Sequence, residues 1–139
     1  MDSKGVKLFL RLAIAVGFLS AVADRFGWWG KEVSTWGNWE SFLEYTAVLN
    51  PWLPKSIIPI IGTTATVTEI VLAIGLIIGF KTELFAKLSG ILLLIFALSM
   101  TFSVGIKAPL DYSVFIASAA AFALGLMKEK YYELDNLIS

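Results

Sequence analysis

The stretch "IIGTTATVTEIVLAIGLIIGF", residues 60–80, decides the fold, because it is apolar enough to cross a membrane yet carries Glu69 near its middle. About 20 mostly apolar residues make a helix that spans the hydrocarbon core of a bilayer. A carboxylate at that depth is costly and marks a candidate functional site. The stretch therefore predicts a membrane helix, and it raises the question of what holds Glu69 there.

The composition favours a membrane protein of one domain, residues 1–139. Of these residues 58% are hydrophobic and 16% are charged, whereas about a quarter of an average soluble domain is charged. The sequence contains no cysteine and no histidine, so we predict no metal site and no intrinsic cofactor. The net charge is zero and the basic residues are scattered, which argues against a nucleic-acid partner.

Four apolar segments predict four membrane-spanning helices that together form an all-α integral membrane bundle. The segments cover, approximately, residues 6–23, 57–80, 84–104 and 110–127. Glycine and proline at Gly79, Gly105 and Pro109 separate the last three. Small residues recur at four-residue spacing in every span, including Ala13 and Gly17 in the first, which predicts close helix packing.

The distribution of lysine and arginine predicts that both termini face the cytoplasm, where basic residues are in excess. One side of the predicted bundle carries seven basic residues: Lys4, Lys7, Arg11, Lys81, Lys87, Lys128 and Lys130. The other side carries four: Arg25, Lys31, Lys55 and Lys107. The apolar run that follows the basic start exceeds signal-peptide length and lacks a clear cleavage motif, so we expect a retained first helix.

The segment between spans one and two, residues 24–56, contains all five tryptophans. Ser41 and Glu44 fit a capping box, and apolar residues follow on one helical face, which predicts a short amphipathic outer helix ending before Pro51. We expect this helix to form a lid with three tryptophans: Trp28, Trp29 and Trp39. Two roles remain open for the lid: an interfacial anchor without a ligand, or a gate over a lipid-soluble ligand.

Two sets of charged residues are candidate sites. Arg11 and Glu69 are predicted to meet inside the bundle, because an ion pair lowers the cost of both charges. Alternatives are a neutral Glu69 with Arg11 reaching the headgroups, and a ligand or proton site. The second set lies at the outer rim: Asp24, Arg25, Lys107 and Asp111. It either stabilises helix ends, with Asp111 at the start of span four, or forms a polar headgroup site.

Three stretches together resemble the DoxX family of small four-helix membrane proteins, and the resemblance covers nearly the whole chain. They are "LRLAIAVGFLSAVADRFGWWG" at 10–30, "TEIVLAIGLIIGFKTELFAKLSGILLLIFALSM" at 68–100 and "GIKAPLDYSVF" at 105–115. The family pattern has an arginine early in the first helix, which Arg11 matches. It also has a glutamate before a glycine-rich apolar run in the second helix, which Glu69 matches.

The resemblance implies a protein of the bacterial inner membrane that takes part in redox chemistry. Some members look like membrane subunits of thiosulfate:quinone oxidoreductases, and others associate with thiol-redox systems. This implies an accessory subunit that holds a quinone near Arg11 and Glu69 and works with a soluble oxidoreductase. Because the chain lacks cysteine, thiol chemistry would belong to that partner.

Two alternatives to the redox subunit remain open. The first is a non-enzymatic structural or assembly protein of the membrane, in which buried charges only fix helix packing. The second is a small proton-linked carrier using Glu69, which the absence of clear inverted repeats disfavours. The sequence leaves open whether the chain is an enzyme and how many copies assemble.

Overall fold

The computed structural model describes residues 2–138 and contains only helices, turns and loops over that range. The α-helices are α1 Ser3–Arg25, α2 Trp39–Leu49, α3 Ile58–Ile78, α4 Thr82–Val104, α5 Lys107–Asp111, α6 Val114–Leu126 and α7 Asp135–Ile138. A 3-10 turn, Lys55–Ile57, leads directly into α3. The predictions of an all-α fold and of a short helix between the first two spans are confirmed.

Within residues 2–138, three helical segments are long and apolar enough to cross a membrane: Ser3–Arg25, Lys55–Ile78 and Thr82–Val104. Their outward faces also carry large exposed apolar side chains, among them Phe9, Val16, Val67, Ile74, Ile91 and Ile95. So much apolar surface would favour aggregation in water, whereas lipid tails accommodate it. The described chain therefore has the helices expected of a membrane protein.

The segment predicted as a fourth span is divided into two helices. α5 ends at Asp111, and Ser113 adopts a left-handed backbone with φ 57° before α6 begins. α6 has 13 residues, which extend about 20 Å. Asp111 pairs with Lys107 at 2.5 Å within α5. It therefore does not stabilise the first turn of the fourth span, and that prediction is wrong.

The long helices pack antiparallel around one apolar core. α6 runs back along α4, since Phe122 faces Gly90 and the hydroxyl of Ser118 donates to the carbonyl of Gly90 at 2.7 Å. The core combines residues of α1, α3, α4 and α6: Ile14, Ala15, Phe18, Leu72, Ala73, Leu76, Ala86, Ala121 and Leu124.

The predicted small-residue positions allow close packing in α3 and α4, whereas those of α1 are exposed. A Cβ atom on Gly75 would lie 1.9 Å from the ring of Phe85, so only glycine fits there. Ala13 and Gly17 are exposed, and no atom lies within 4 Å of a Cβ built on Gly17. The predicted contact of span one through Ala13 and Gly17 is therefore wrong within the described chain, and the packed face of α1 contains Ile14, Ala15 and Phe18 instead.

Residues 127–138, here called the return segment, fold over one end of the bundle. The backbone N–H groups of Leu134 and Asp135 donate to the carbonyls of Ile78 and Gly79 at 2.8 and 3.0 Å. The last carbonyls of a helix have no partner within the helix and need one from outside. The return segment supplies these partners at the end of α3.

Asp135 also caps the start of α4. Its carboxylate accepts hydrogen bonds from the backbone N–H groups of Lys81 at 2.6 Å and Thr82 at 2.9 Å. Burial by itself would raise the pKa of Asp135, but the hydrogen bonds from Thr82 and Lys81 lower this pKa overall. The N-cap of α4 therefore comes from a residue distant in sequence.

Replacing Asp135 with alanine should lower the free energy of unfolding by about 1 kcal/mol, the typical effect of losing an N-cap. Because its folded-state pKa is lowered, Asp135 stabilises fully above its unfolded pKa of about 3.9. This stabilisation disappears as the pH falls through the folded-state pKa. Unfolding in detergent at pH 7 and about pH 3 measures both effects.

Asp111→Ala is the matched control, since Asp111 belongs to an exposed pair with Lys107. It should change the free energy of unfolding by less than about 0.5 kcal/mol. Equal losses in the two variants at pH 7 would show that Asp135 does not act as a cap.

Candidate functional site

Glu69 is paired with Arg25, the last residue of α1. Both terminal guanidinium nitrogens donate to the carboxylate: Nη1 to Oε2, and Nη2 to Oε1 at 3.2 Å. Nη1 also donates to the hydroxyl of Thr66 at 2.8 Å. The side chains of Arg25 and Glu69 are only 4% and 3% exposed. A two-point contact of this kind is stronger and more directional than a single charged hydrogen bond.

Two aromatic rings cover the guanidinium of Arg25. Its Cζ atom lies 4.0 Å from the ring centroid of Phe42 and 5.3 Å from that of Trp36. Both distances fall within the range of cation–π attraction. The two rings meet edge to face, with their centroids 5.3 Å apart. Arg25, Glu69, Thr66, Trp36 and Phe42 are called the outer cluster below.

The outer helix α2 brings Phe42 to this cluster. The helix begins after Asn38, whose Oδ1 accepts the backbone N–H of Ser41 at 2.8 Å. The predicted capping box at Ser41 and Glu44 is therefore wrong, because Asn38 takes the N-cap position three residues earlier. Phe42 packs close to Gly62 of α3, where a Cβ atom would lie 3.2 Å from its ring.

Asp24 fixes the loop that carries Trp36. Its Oδ2 accepts the N–H groups of Thr35 and Trp36 at 2.7 and 3.3 Å, and its Oδ1 accepts that of Gly37 at 3.1 Å. Successive backbone N–H groups of this kind form a concave anion-binding site. They satisfy the buried carboxylate and hold Trp36 against Arg25.

The predicted outer-rim set separates into two parts. Asp24 and Arg25 are buried, whereas the side chains of Lys107 and Asp111 are 86% and 54% exposed. Within residues 2–138, no hydrogen bond or ion pair joins the two parts. The rim set is therefore not one site.

The predicted lid tryptophans lie around the outer cluster rather than in it. Trp28 is largely exposed, and Trp29 is half exposed while its indole N–H donates to the carbonyl of Ser20 at 3.1 Å. Trp39 stacks on Phe26 with a centroid separation of 5.8 Å. The tryptophan that contacts the buried charges is Trp36, which was not among the predicted lid residues.

Arg11 belongs to a second buried cluster at the other end of α1. Its Nε donates to the carbonyl of Leu76 and its Nη2 to that of Ile77, both at 2.9 Å. Its Nη1 donates to the carbonyl of Tyr131 at 2.7 Å, and Nη2 to that of Tyr132 at 3.0 Å. Arg11 thus joins the end of α3 to the return segment.

Glu133 supplies the negative charge of this second cluster, called the inner cluster below. Its Oε1 lies 2.7 Å from Nζ of Lys7 and 3.9 Å from Nη1 of Arg11. Lys7 also donates to the carbonyl of Glu129. The hydroxyl of Ser3 donates to the Glu129 carboxylate at 2.7 Å, and this bond lowers the pKa of Glu129.

The predicted pair of Arg11 with Glu69 is wrong. Arg11 binds the carbonyl of Leu76, which lies about 10 Å along α3 from Glu69 at 1.5 Å per residue. α1 extends to Arg25, two residues beyond the predicted span. The side chain of a helical residue leans toward the N-terminus, so Arg25 reaches into the bundle. The unpaired carbonyls at the end of α3 attract Arg11 instead.

Sequence reasoning missed most partners of the buried charges. Helical periodicity could have identified Thr66, because it lies one helical turn before Glu69 and contacts the same arginine. Trp36 lies in the loop before α2, and Phe42 lies in α2 itself. Glu133 lies in the return segment, outside every predicted span. No periodic pattern connects these residues to the charges that they contact.

The two clusters differ in their hydrogen-bonding capacity. In the inner cluster, each guanidinium nitrogen of Arg11 donates to a carbonyl. In the outer cluster, Nε of Arg25 and Nε1 of Trp36 are buried and have no acceptor among the described residues. Buried donors normally have acceptors. The outer cluster is therefore the better candidate for binding a ligand that carries an acceptor.

Comparisons with known proteins add no assignment. No family model, curated protein or solved structure matches this chain. The DoxX resemblance therefore stays a prediction.

A double-mutant cycle should show strong coupling between Arg25 and Glu69. Arg25→Met or Glu69→Leu alone leaves a buried charge unpaired, which costs about 3–5 kcal/mol in soluble proteins. The double variant removes both charges and should recover much of that loss. The free energy of unfolding in detergent measures the coupling.

Arg11→Met combined with Glu69→Leu is the control, because these residues do not touch. Its effects should add to within about 0.5 kcal/mol. Additive effects for Arg25 and Glu69, or strong coupling between Arg11 and Glu69, would contradict the pairing described above.

Proposed function

We propose that this chain is a DoxX-like membrane subunit of a redox system that holds a quinone, or a similar lipid-soluble ligand, at the outer cluster. The observation that carries the proposal is the buried Arg25–Glu69 pair under Trp36 and Phe42, with two buried donors lacking acceptors. A quinone carries carbonyl acceptors on a molecule that partitions into lipid. Donors and ligand are therefore chemically matched.

The residues of the outer cluster have different roles in the proposed binding. The paired charges of Arg25 and Glu69 neutralise each other, so the site favours a neutral ligand over an ion. Trp36 and Phe42 exclude water from the guanidinium, which strengthens electrostatic interactions near it. A quinone supplies electron and proton transfer when bound, and a soluble oxidoreductase partner would exchange electrons with it.

In the proposed topology, the chain crosses a bacterial inner membrane four times and has both termini in the cytoplasm. Support comes from contacts between the start of α1 and the return segment, such as Ser3 with Glu129 at 2.7 Å. These parts lie at the same end of the bundle, which supports an even number of crossings. The fourth crossing is formed by α5 and α6 together, residues 107–126.

A structural or assembly protein is the second candidate function. It is favoured by the inner cluster, in which Arg11 ties α3 to the return segment and Lys7 neutralises Glu133. Buried ion pairs can serve only to fix helix packing. Under this alternative the Arg25–Glu69 pair would do at the outer end what Lys7 and Glu133 do at the inner end.

Quinone binding separates the two candidate functions. Purified protein in nanodiscs should bind a radiolabelled short-tailed benzoquinone saturably. The double variant Arg25→Met/Glu69→Leu should lower the affinity at least about tenfold, because it removes the charge pair that orders the site. The matched control, Lys7→Met/Glu133→Leu, also removes a buried pair and should bind quinone normally. Absence of saturable binding to the wild type would refute the redox proposal and leave the structural one.

The orientation is tested with single cysteines, since the sequence contains none. Ser3→Cys, Ser34→Cys and Asn136→Cys are exposed to a membrane-impermeant thiol reagent in intact cells. Only Ser34→Cys should react, and all three should react after the cells are opened. Labelling of Ser3→Cys or Asn136→Cys in intact cells would contradict two cytoplasmic termini.

A further inference from the structure

A groove with a volume of about 350 Å³ runs between the second half of α1 and the tryptophan-rich loop. Helix and loop contribute equally to its lining, with Gly17, Ser20, Ala21 and Asp24 from α1 and Trp29, Val33, Thr35 and Trp36 from the loop. Sites for small ligands typically have volumes of about 300–1,000 Å³. Trp36 belongs to both the groove and the outer cluster, so it forms the wall between them.

Gly17 forms part of the floor and leaves space above it. No atom of the described chain lies within 4 Å of a Cβ built at this position. Val16, which precedes Gly17 in α1, is 59% exposed. The groove therefore continues into an apolar surface that suits lipid contact, and an apolar tail can lie along it.

The charges of the groove favour a neutral ligand. Among the described residues 2–138, no lysine or arginine lines it, and Asp24 contributes a carboxylate. That carboxylate already accepts hydrogen bonds from the backbone N–H groups of Thr35, Trp36 and Gly37. A phosphate headgroup would meet a negative charge and no cation. A neutral head avoids this repulsion.

One hydrogen-bond donor in the wall is suited to such a head. The indole N–H of Trp29 already donates to the carbonyl of Ser20. The indole N–H of Trp36 is buried and has no acceptor within residues 2–138. A buried donor without an acceptor is destabilising, so a ligand that supplies one gains binding energy when the Trp36 side chain turns its N–H toward the groove.

We propose that this groove binds the head of a neutral, lipid-soluble carbonyl compound, which accepts a hydrogen bond from the indole N–H of Trp36. The tail of the compound lies along the exposed surface of α1 near Val16. This inference rests on the proposed function and deepens it, because it assigns the quinone-binding position to the groove side of Trp36. Arg25 and Glu69 then act through Trp36, whose ring they hold in place.

Two substitutions test the groove by independent means. A Cβ at position 17 meets no atom within 4 Å, so Gly17→Leu places its side chain in the groove. It should weaken binding of the radiolabelled short-tailed benzoquinone more than about tenfold, because protein atoms replace the ligand. Trp36→Phe keeps an aromatic ring but loses the N–H. Loss of one hydrogen bond should weaken binding about two- to tenfold.

Each variant has a control on the same element. Ala13→Leu adds the same bulk to the exposed face of α1, one turn away from the groove lining. Trp28→Phe changes an exposed tryptophan that does not line the groove. Both controls should bind the benzoquinone within about twofold of the wild type.

The outcomes separate the groove from the proposed function. If the wild type binds no quinone saturably, both proposals fail. If Arg25→Met/Glu69→Leu loses binding while Gly17→Leu and Trp36→Phe keep it, only the groove is refuted. A phospholipid that co-purifies with the wild type and is absent from Gly17→Leu would also overturn the groove proposal, because the groove would then hold a lipid.

Discussion

The need to neutralise charge inside an apolar bundle governs this structure. Glu69 cannot remain ionised at that depth without a partner, and Arg25 provides one through two hydrogen bonds. The same requirement places Trp36 and Phe42 over the guanidinium and brings α2 against α3. The outer helix and its loop are thus held to the bundle by this charged contact, together with the aromatic rings that pack beside it.

The opposite end of the bundle meets the same requirement with backbone groups. Arg11 binds carbonyls of α3 and of the return segment, while Lys7 provides the charge that Glu133 needs. The two ends therefore have different chemical characters. In the inner cluster the donors of Arg11 all have acceptors, and the buried atoms without a hydrogen bond are the carboxylate oxygens of Glu133. The outer end instead keeps the buried donors of Arg25 and Trp36. This asymmetry is the reason for assigning ligand binding to the outer end.

Periodicity and composition predicted the helical class, the three long apolar helices and the outer helix, because these depend on the average character of 10–20 residues. They also identified Glu69 as the residue needing a partner. They could not identify that partner, because the choice between Arg11 and Arg25 depends on where α1 ends and how far each side chain reaches. The division of the fourth span at Ser113 was equally hidden, since a single left-handed residue leaves no periodic signal.

The return segment is synthesised after the helices whose ends it completes. The carbonyls of Ile78 and Gly79 at the end of α3 accept hydrogen bonds from Leu134 and Asp135. The first N–H groups of α4 donate to the carboxylate of Asp135. Both helices leave the ribosome before the residues that complete them. During synthesis, the turn between α3 and α4 therefore carries unsatisfied polar groups, and it becomes satisfied only when Asp135 arrives. A nascent chain that stops after α6 contains every apolar helix of the bundle, yet its inner end stays open to water, chaperones and proteases.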